Sequence, residues 1–360
     1  MKAAVCREFG KPLAIEEVTL GEVGPTDVHV NVAACAVCHS DIHYADGAWG
    51  GYLPAVYGHE AAGVVTAIGH DVADVSIGDH VVVTLIRSCG ECTQCVRGNE
   101  VFCETSFTSD ESQRLGNDSG DEVLAAMNCG AFAEQVVVDH SQVVVIPTDI
   151  DWTVASLLAC GVITGVGAVT NTSTIDDASS VVVVGAGGVG LNAIQGAAIV
   201  GAPIVIAVDL AEEKLDIARD FGATHAATPT TINEVIAEAT GGRSGVTHVL
   251  VTVGSKAAIS SALGYIEPGG EVVIVGMPAN DNEIEIDPAT VAAAGYRIIG
   301  SKMGTSQIRR DIPQLLDWYR EGKLKLDELV SGTFSLDDIN EAIADVNNGA
   351  TIRNVVMMDS

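Results

Sequence analysis

Four of the chain's nine cysteines fall in one short stretch, "CGECTQCVRGNEVFC", as Cys89, Cys92, Cys95 and Cys103. Thiolates at C-x2-C-x2-C spacing, with a fourth seven residues on, can wrap one tetrahedral zinc ion, because a tight loop turns successive sulfurs toward one point. A disulfide framework fits less well. The cysteine count is odd, and Cys6, Cys35, Cys38, Cys129 and Cys160 are scattered without framework spacing. An iron–sulfur cluster is the alternative, since bacterial ferredoxins share C-x2-C-x2-C. Theirs continues x3-C-P, and here the gap is seven with no proline after Cys103.

A second constellation lies upstream in "CAVCHSDIHYADGAWGGYLPAVYGHEAAG", which gathers Cys38, His39, Ser40, Asp41, His43, His59 and Glu60. Cys38 and His59 each have an acidic neighbour, which suits ligands whose geometry needs outer support. A catalytic zinc takes three protein ligands and keeps a fourth position open, so two are too few, and the pattern does not name the third. A third motif is "VVVVGAGGVGLNA", with Gly185, Gly187, Gly188 and Gly190 in a G-x-G-x-x-G frame and Asp209 nineteen residues beyond the last glycine. A strand before it, a helix after it and that acid together form a dinucleotide fingerprint. The pyrophosphate would face the helix N-terminus, and Asp209 would accept the adenosine ribose hydroxyls. Its charge opposes a 2′-phosphate and no arginine follows at once, so NAD is favoured over NADP.

The elements that must position these groups change character along the chain. Up to about Pro147, short β-rich runs such as "DVHVNVAAC", "AAGVVTAIG", "GDHVVV" and "FAEQVVVD" are punctuated by glycine, as in an irregular β-barrel or sandwich. From Ser180, bare apolar strands alternate with helices: "SSVVVV", "PIVIAVD", "THVLVTVG", "EVVIVG" and "RIIGS" against "GVGLNAIQGAAIVG", "EEKLDIARDFG" and "KAAISSALGYI". That rhythm predicts a doubly wound parallel sheet. After Lys302 come two polar helices and a last strand, "RNVVMM", which pattern alone assigns to neither domain.

At 360 residues and 48% hydrophobic content the chain has material for two cores. No run of eighteen uninterrupted apolar residues is present. The first residues show no basic lead with an apolar core and cleavage site, which suggests a cytoplasmic protein. A net charge of −30 argues against nucleic acid or anionic membranes as partners. With 48 acidic but only 18 basic residues, the imbalance comes mainly from missing bases, as in an acidic proteome or a salt-rich habitat.

Together "GHEAAG", the four-cysteine lobe and "GAGGVG", in that order, resemble the zinc-dependent medium-chain dehydrogenases/reductases, specifically the alcohol dehydrogenases, over essentially the whole chain. The resemblance implies an α/β protein with a GroES-like β-rich catalytic domain over 1–160, to which 303–360 returns, and an NAD-binding Rossmann domain over 161–302. It implies two zinc ions: a catalytic one in the cleft between domains on Cys38, His59 and Cys160, and a structural one on Cys89, Cys92, Cys95 and Cys103. Asp41 would hydrogen-bond His59, with Glu60 behind the metal. His39 and Arg353 would contact the pyrophosphate, while Thr164, Val189, Lys214 and Val275 would line the nicotinamide and ribose sites. The implied reaction is reversible alcohol oxidation with NAD, the proton leaving through Ser40, the ribose and His43. Trp49 and Tyr52 would flank the substrate, and Leu85, where many relatives carry a larger aromatic residue, leaves room for a branched or ring-bearing alcohol.

A glutathione-adduct (formaldehyde) dehydrogenase is disfavoured by Phe107, where an arginine is expected, and by the acidic loop "TSDESQRLGNDSGDE". A polyol or amino-alcohol dehydrogenase of the same superfamily is a rival, as is a non-catalytic or iron–sulfur electron-transfer protein. The family implies a homodimer or homotetramer acting on a small-molecule alcohol or aldehyde.

Overall fold

The computed structural model describes residues 1–107, 115–116, 122–280, 282–349 and 351–358. The acidic loop after Phe107 lies almost wholly outside the described residues.

The chain divides into two units. One comprises Met1–Gly161, Gln307–Asp317 and Leu326–Ser360; the other comprises Val162–Ser306 and Trp318–Lys325. Within the stretch 303–360, residues 303–306 and 318–325 therefore group with the second unit, against the expected bounds. The helix Ile308–Arg320 explains the split. Its amphipathic pattern buries Ile308, Ile312, Leu315 and Leu316, all in the part that groups with the first unit, and the division falls between Asp317 and Trp318.

The first unit is built on two sheets. In the larger, the order is Val143–Val145, His80–Thr84, Glu60–Ile68, Asp27–Ala36, Arg353–Met357 and Val330–Ser335, with Gln135–Asp139 also on Asp27–Ala36. Pairing is antiparallel except between the last two strands of that order. The strand "DVHVNVAACA" alternates at its start and is buried at its end, as expected of a central strand flanked on both sides. The smaller sheet contains Lys2–Cys6, and its strands are short.

In the second unit six parallel strands run in the order His225–Ala227, Ile204–Val208, Ser180–Val184, Val246–Val251, Ile266–Ile274 and Arg297–Gly300. Numbered within the unit this is 3-2-1-4-5-6, the doubly wound order of dinucleotide-binding sheets. The strand His225–Ala227 and the helices Ile232–Ala239 and Pro288–Ala294 were not read from the sequence.

Between Trp152 and Thr172 the backbone is helical throughout, alternating α-helical Trp152–Leu157 and Ile163–Gly167 with π-helical Leu158–Val162 and Ala168–Thr172. By length and composition this 21-residue run could cross a membrane, yet 89% of its most apolar window is buried inside the protein. Its apolar surface is used in internal packing.

Candidate active site

Cys38 ends the central strand's approach and caps the N-terminus of the helix His39–Ala45. Asp41, three residues on and 1% exposed, folds back to accept the Cys38 N–H at 3.1 Å through Oδ2. Its other oxygen accepts the Gly58 N–H at 2.9 Å and is 2.9 Å from His59 Nδ1. An ionised carboxylate is acceptor-only, so Nδ1 carries the proton and Nε2 is the free lone pair. That Nε2 is buried without a hydrogen-bond partner, and His59 is fully buried. An imidazole fixed in this way presents a ligand atom.

Cys160 enters from the π-helical segment Leu158–Val162, whose widened turn exposes backbone groups that an α-helix would use internally. The preceding turn, Trp152–Leu157, packs on the strands Asp27–Ala36 and Glu60–Ile68. The ligand atoms of Cys38, His59, Glu60 and Cys160 all lie within 4.8 Å of one another, and all four residues are buried. The Cys160 sulfur holds the Cys38 thiol well below its ordinary value, with His59 adding to the pull against burial, while the same contact and burial push Cys160 up. Burial opposes charge on His59, yet the Asp41 carboxylate, with the Cys38 sulfur, raises its pKa well above the usual range, so the Nε2 lone pair belongs to the neutral ring and a metal would take it by displacing a proton.

Glu60 does not face this cluster alone. Its Oε2 accepts the Gly161 N–H at 3.1 Å, and Oε1 pairs with Nη2 of Arg353. Burial pushes Glu60 up to about 7 against the pull of that arginine. Arg353, to which the resemblance assigns a pyrophosphate contact, turns Nη2 to Glu60. A Cβ on Gly161 would lie 3.2 Å from the Arg353 guanidinium carbon, so a larger residue there would press on that side chain.

Cys89, Cys92, Cys95 and Cys103 converge in the same unit, again with all sulfurs within 4.8 Å. The single helical turn Thr93–Val96 carries Cys95 and is capped at its N-terminus by Cys92. Cys89 is held down to about 6 by hydrogen bonds from Thr105 and the Glu91 and Cys92 N–H groups, while burial lifts Cys95 to about 12. Four converging sulfurs with no carboxylate or imidazole among them are the donor set of a closed zinc site.

In the second unit the glycine loop joins the strand Ser180–Val184 to the helix Gly188–Ile199. Gly185 has φ +100°, and a Cβ on Gly190 would lie 1.7 Å from the Gly185 carbonyl oxygen. Nothing lies within 4 Å of the corresponding position on Gly187, leaving that face of the backbone open. Turn, close packing and open approach are thus divided among three glycines as a pyrophosphate cradle requires. Asp209 accepts the Ala186 N–H at 2.8 Å and the Ala211 N–H at 3.1 Å, which fixes its carboxylate beside the loop. Thr164, on Ile163–Gly167, is buried; Val189, Lys214 and Val275 are half-buried.

In the first unit His39 is exposed and Ser40 half-buried at the first turn of their helix. His43, one turn later, lies against Trp49 with ring centroids 5.1 Å apart. Trp49 also meets Tyr44 edge-on, so packing claims much of that ring. Tyr52 is 84% exposed, whereas Leu85 is half-buried against the first unit's core. Phe107 is not bare of cations: the Arg87 guanidinium sits 4.6 Å above its ring.

Compared with known proteins, residues 24–148 match the alcohol dehydrogenase GroES-like domain and residues 188–321 the zinc-binding dehydrogenase family. Alcohol dehydrogenase B of Mycobacterium tuberculosis is 36% identical, covering 99% of this chain and 97% of that protein. This chain belongs to the zinc-dependent medium-chain alcohol dehydrogenases. Another member, the S-(hydroxymethyl)glutathione dehydrogenase of Paracoccus denitrificans, is 32% identical with 99% of each chain covered. Among solved members of the family, benzyl alcohol dehydrogenase from Acinetobacter calcoaceticus superposes with a TM-score of 0.91 at 31% identity, 99% of each chain covered. The chain is therefore an oxidoreductase with the family's GroES-like and Rossmann folds.

Proposed function

We propose that this oxidoreductase carries out reversible, NAD-dependent oxidation of primary or secondary alcohols, including branched and aromatic ones, with two zinc ions per chain. The observation that carries the reading is the buried cluster of Cys38, His59 and Cys160, in which Asp41 fixes the His59 tautomer and leaves Nε2 as a lone pair with no other partner. These three residues would hold the catalytic zinc, and the four-cysteine lobe would hold the structural one. Bound zinc supplies a Lewis acid that makes a hydroxyl more acidic.

The chain's own groups do the rest. Asp41 orients His59. The Ser40 hydroxyl receives the substrate proton, and His43, held against Trp49, passes it on. The open backbone at Gly187 and the N-terminus of Gly188–Ile199 bind pyrophosphate, with His39 and Arg353 as cationic partners. Thr164, Val189, Lys214 and Val275 line the nicotinamide and ribose sites. Asp209 takes the ribose hydroxyls and disfavours a 2′-phosphate, which supports NAD. Leu85, smaller than an aromatic ring, supports a roomy substrate site with Trp49 and Tyr52 at its flank, as does the likeness to a benzyl alcohol dehydrogenase.

A second reading, oxidation of S-(hydroxymethyl)glutathione, gains from the Arg87 guanidinium over Phe107 and from the Paracoccus relative. Zinc content of the purified protein, together with NADH and NADPH formation from ethanol, 2-propanol, benzyl alcohol and S-(hydroxymethyl)glutathione, tests both. Two zincs with NADH from benzyl alcohol is the expected result. Turnover confined to the glutathione adduct would select the second reading, and iron or a metal-free folded protein would reject both.

A further inference from the structure

The helix Gly188–Ile199, "GVGLNAIQGAAI", holds only two residues whose side chains can hydrogen-bond, Asn192 and Gln195. Both are buried, at 1% and 3% exposure, where an amide costs stability unless it is bonded. They are bonded to each other and, at either end, to backbone. Asn192 Nδ2 donates to the Gly188 carbonyl at 2.8 Å, and Gln195 Nε2 donates to Asn192 Oδ1 at 3.2 Å. Gln195 Nε2 also donates to the Lys325 carbonyl at 3.1 Å, while its Oε1 accepts the Lys325 N–H at 2.7 Å.

The direction of every bond in this row is fixed. A carbonyl only accepts and an N–H only donates, so the Lys325 backbone decides which way the Gln195 amide lies. Gln195 then draws Oδ1 of Asn192 toward itself and leaves Nδ2 on Gly188. Packing holds the same side chain: a Cβ on Gly165 would come within 2.6 Å of the Asn192 Cβ and 2.3 Å of the Val189 carbonyl oxygen, so the helix Ile163–Gly167 lies directly against this turn.

Gln195 satisfies Lys325 without help, and what Asn192 adds is the grip on Gly188. Gly188 is the first residue of the helix, directly after the open backbone at Gly187. Its carbonyl and the Val189 N–H belong to one planar trans peptide and point opposite ways. The Val189 N–H is a first-turn donor of the kind that has no partner inside the helix and faces an anion. Gripping the carbonyl sets the direction of that N–H. A hydrogen bond on the oxygen also polarises the peptide and strengthens the donor at its other end.

We propose that Asn192 is a positioning residue for the coenzyme pyrophosphate, a role that rests on the coenzyme-binding reading above. Pinned by Gln195, it holds the Gly188–Val189 peptide so that the Val189 N–H is aimed at the bound phosphate.

The test is a pair of substitutions in the full-length protein. Asn192→Ser and Asn192→Ala both shorten the side chain and lose the contact to Gln195, but a serine hydroxyl reaches the carbonyl four residues back and alanine has no donor. Displacement of NADH, followed by its fluorescence, gives affinities for ADP-ribose, which carries the diphosphate, and for adenosine, which carries no phosphate. In Asn192→Ala, NADH and ADP-ribose should bind roughly tenfold more weakly, the loss of about one hydrogen bond to a charged group, with adenosine within about twofold of the parent. Asn192→Ser should keep ADP-ribose within about threefold of the parent, although its Tm falls as far as that of Asn192→Ala. Equal ADP-ribose affinity in the parent and Asn192→Ala, equal weakening by the two variants, or adenosine weakened as much as ADP-ribose overturns the proposal alone. A parent that binds neither NADH nor ADP-ribose rejects the coenzyme reading, and the proposal with it. Should both variants fold poorly, Gln195→Met leaves the Asn192 amide unpinned and carries the test: ADP-ribose should weaken relative to adenosine, and an unchanged ratio overturns the proposal.

Discussion

Replacing Asp41 by Asn removes one charge and changes almost no volume, so it isolates what that carboxylate does for the metal cluster. Three donors converge on it: the N–H groups of Cys38 and Gly58, and Nδ1–H of His59. An asparagine whose oxygen keeps Gly58 and His59 must turn its amide nitrogen toward the Cys38 N–H. Two donors then face each other at a 99% buried site. Such a conflict is worth about 1–3 kcal/mol of folding stability. Loss of the anion behind a ligating histidine separately weakens metal affinity about 10–100-fold, or roughly 1.4–2.7 kcal/mol. The assay is competition for zinc against a chromophoric chelator at fixed pH, with thermal unfolding in parallel. Catalytic-site zinc should dissociate at least tenfold more readily while the four-cysteine zinc stays bound. If affinity at both sites stays within threefold of the parent and Tm is unmoved, Asp41 does not orient His59 and the ligand reading loses its support.

Four further outcomes are expected. Gly187→Ala, with open space at its Cβ, should keep the wild-type Tm and lose NADH binding, whereas Gly190→Ala, with a Cβ 1.7 Å from a carbonyl oxygen, should unfold at much lower temperature; equal behaviour of the two in calorimetry would contradict the division of labour in the loop. Asp209→Gly should shift the NAD/NADP ratio of kcat/KM toward NADP, and an unchanged ratio rejects its ribose role. After chelation of the lobe zinc at pH 7, iodoacetamide should alkylate Cys89 before Cys95, because a thiol held near 6 is mostly thiolate there and one raised to about 12 is not; peptide mass mapping showing the reverse order would refute it. Raising KCl from about 0.1 to about 1 M shortens the screening length from ~10 to ~3 Å, so Tm should rise in a chain of net charge −30, and a flat or falling Tm would show that its surface charges are not in net repulsion.

What could be read from the sequence followed the strength of local patterns. Five strands of the parallel sheet contain short runs of valine and isoleucine, and each lies where its run put it. Only the three-residue strand His225–Ala227 escaped, being too short to show a period. The run Trp152–Thr172 was opaque for a different reason. Its glycines, threonines and β-branched residues argue against helix, and burial overrides them. The four-cysteine site is local, so spacing alone found it. Cys160 lies a hundred residues from His59 and is delivered by a π-helical turn, which no spacing rule encodes. Arg353 was picked out as a cation, but its pairing with Glu60 depends on a β-ladder between chain segments more than 290 residues apart.

The strand Arg353–Met357 inserts between Asp27–Ala36 and Val330–Ser335, and its first residue pairs with Glu60 in the cluster of Cys38, His59 and Cys160. The first unit therefore starts earlier along the chain but is completed later. The second unit has all of its strands once Gly300 has been made, while the first still lacks the cation for Glu60 and both ladders of the strand Arg353–Met357. A chain cut back to residue 350 would therefore keep Cys38, His59, Glu60 and Cys160 but leave the Glu60 carboxylate buried without the cation that pairs with it.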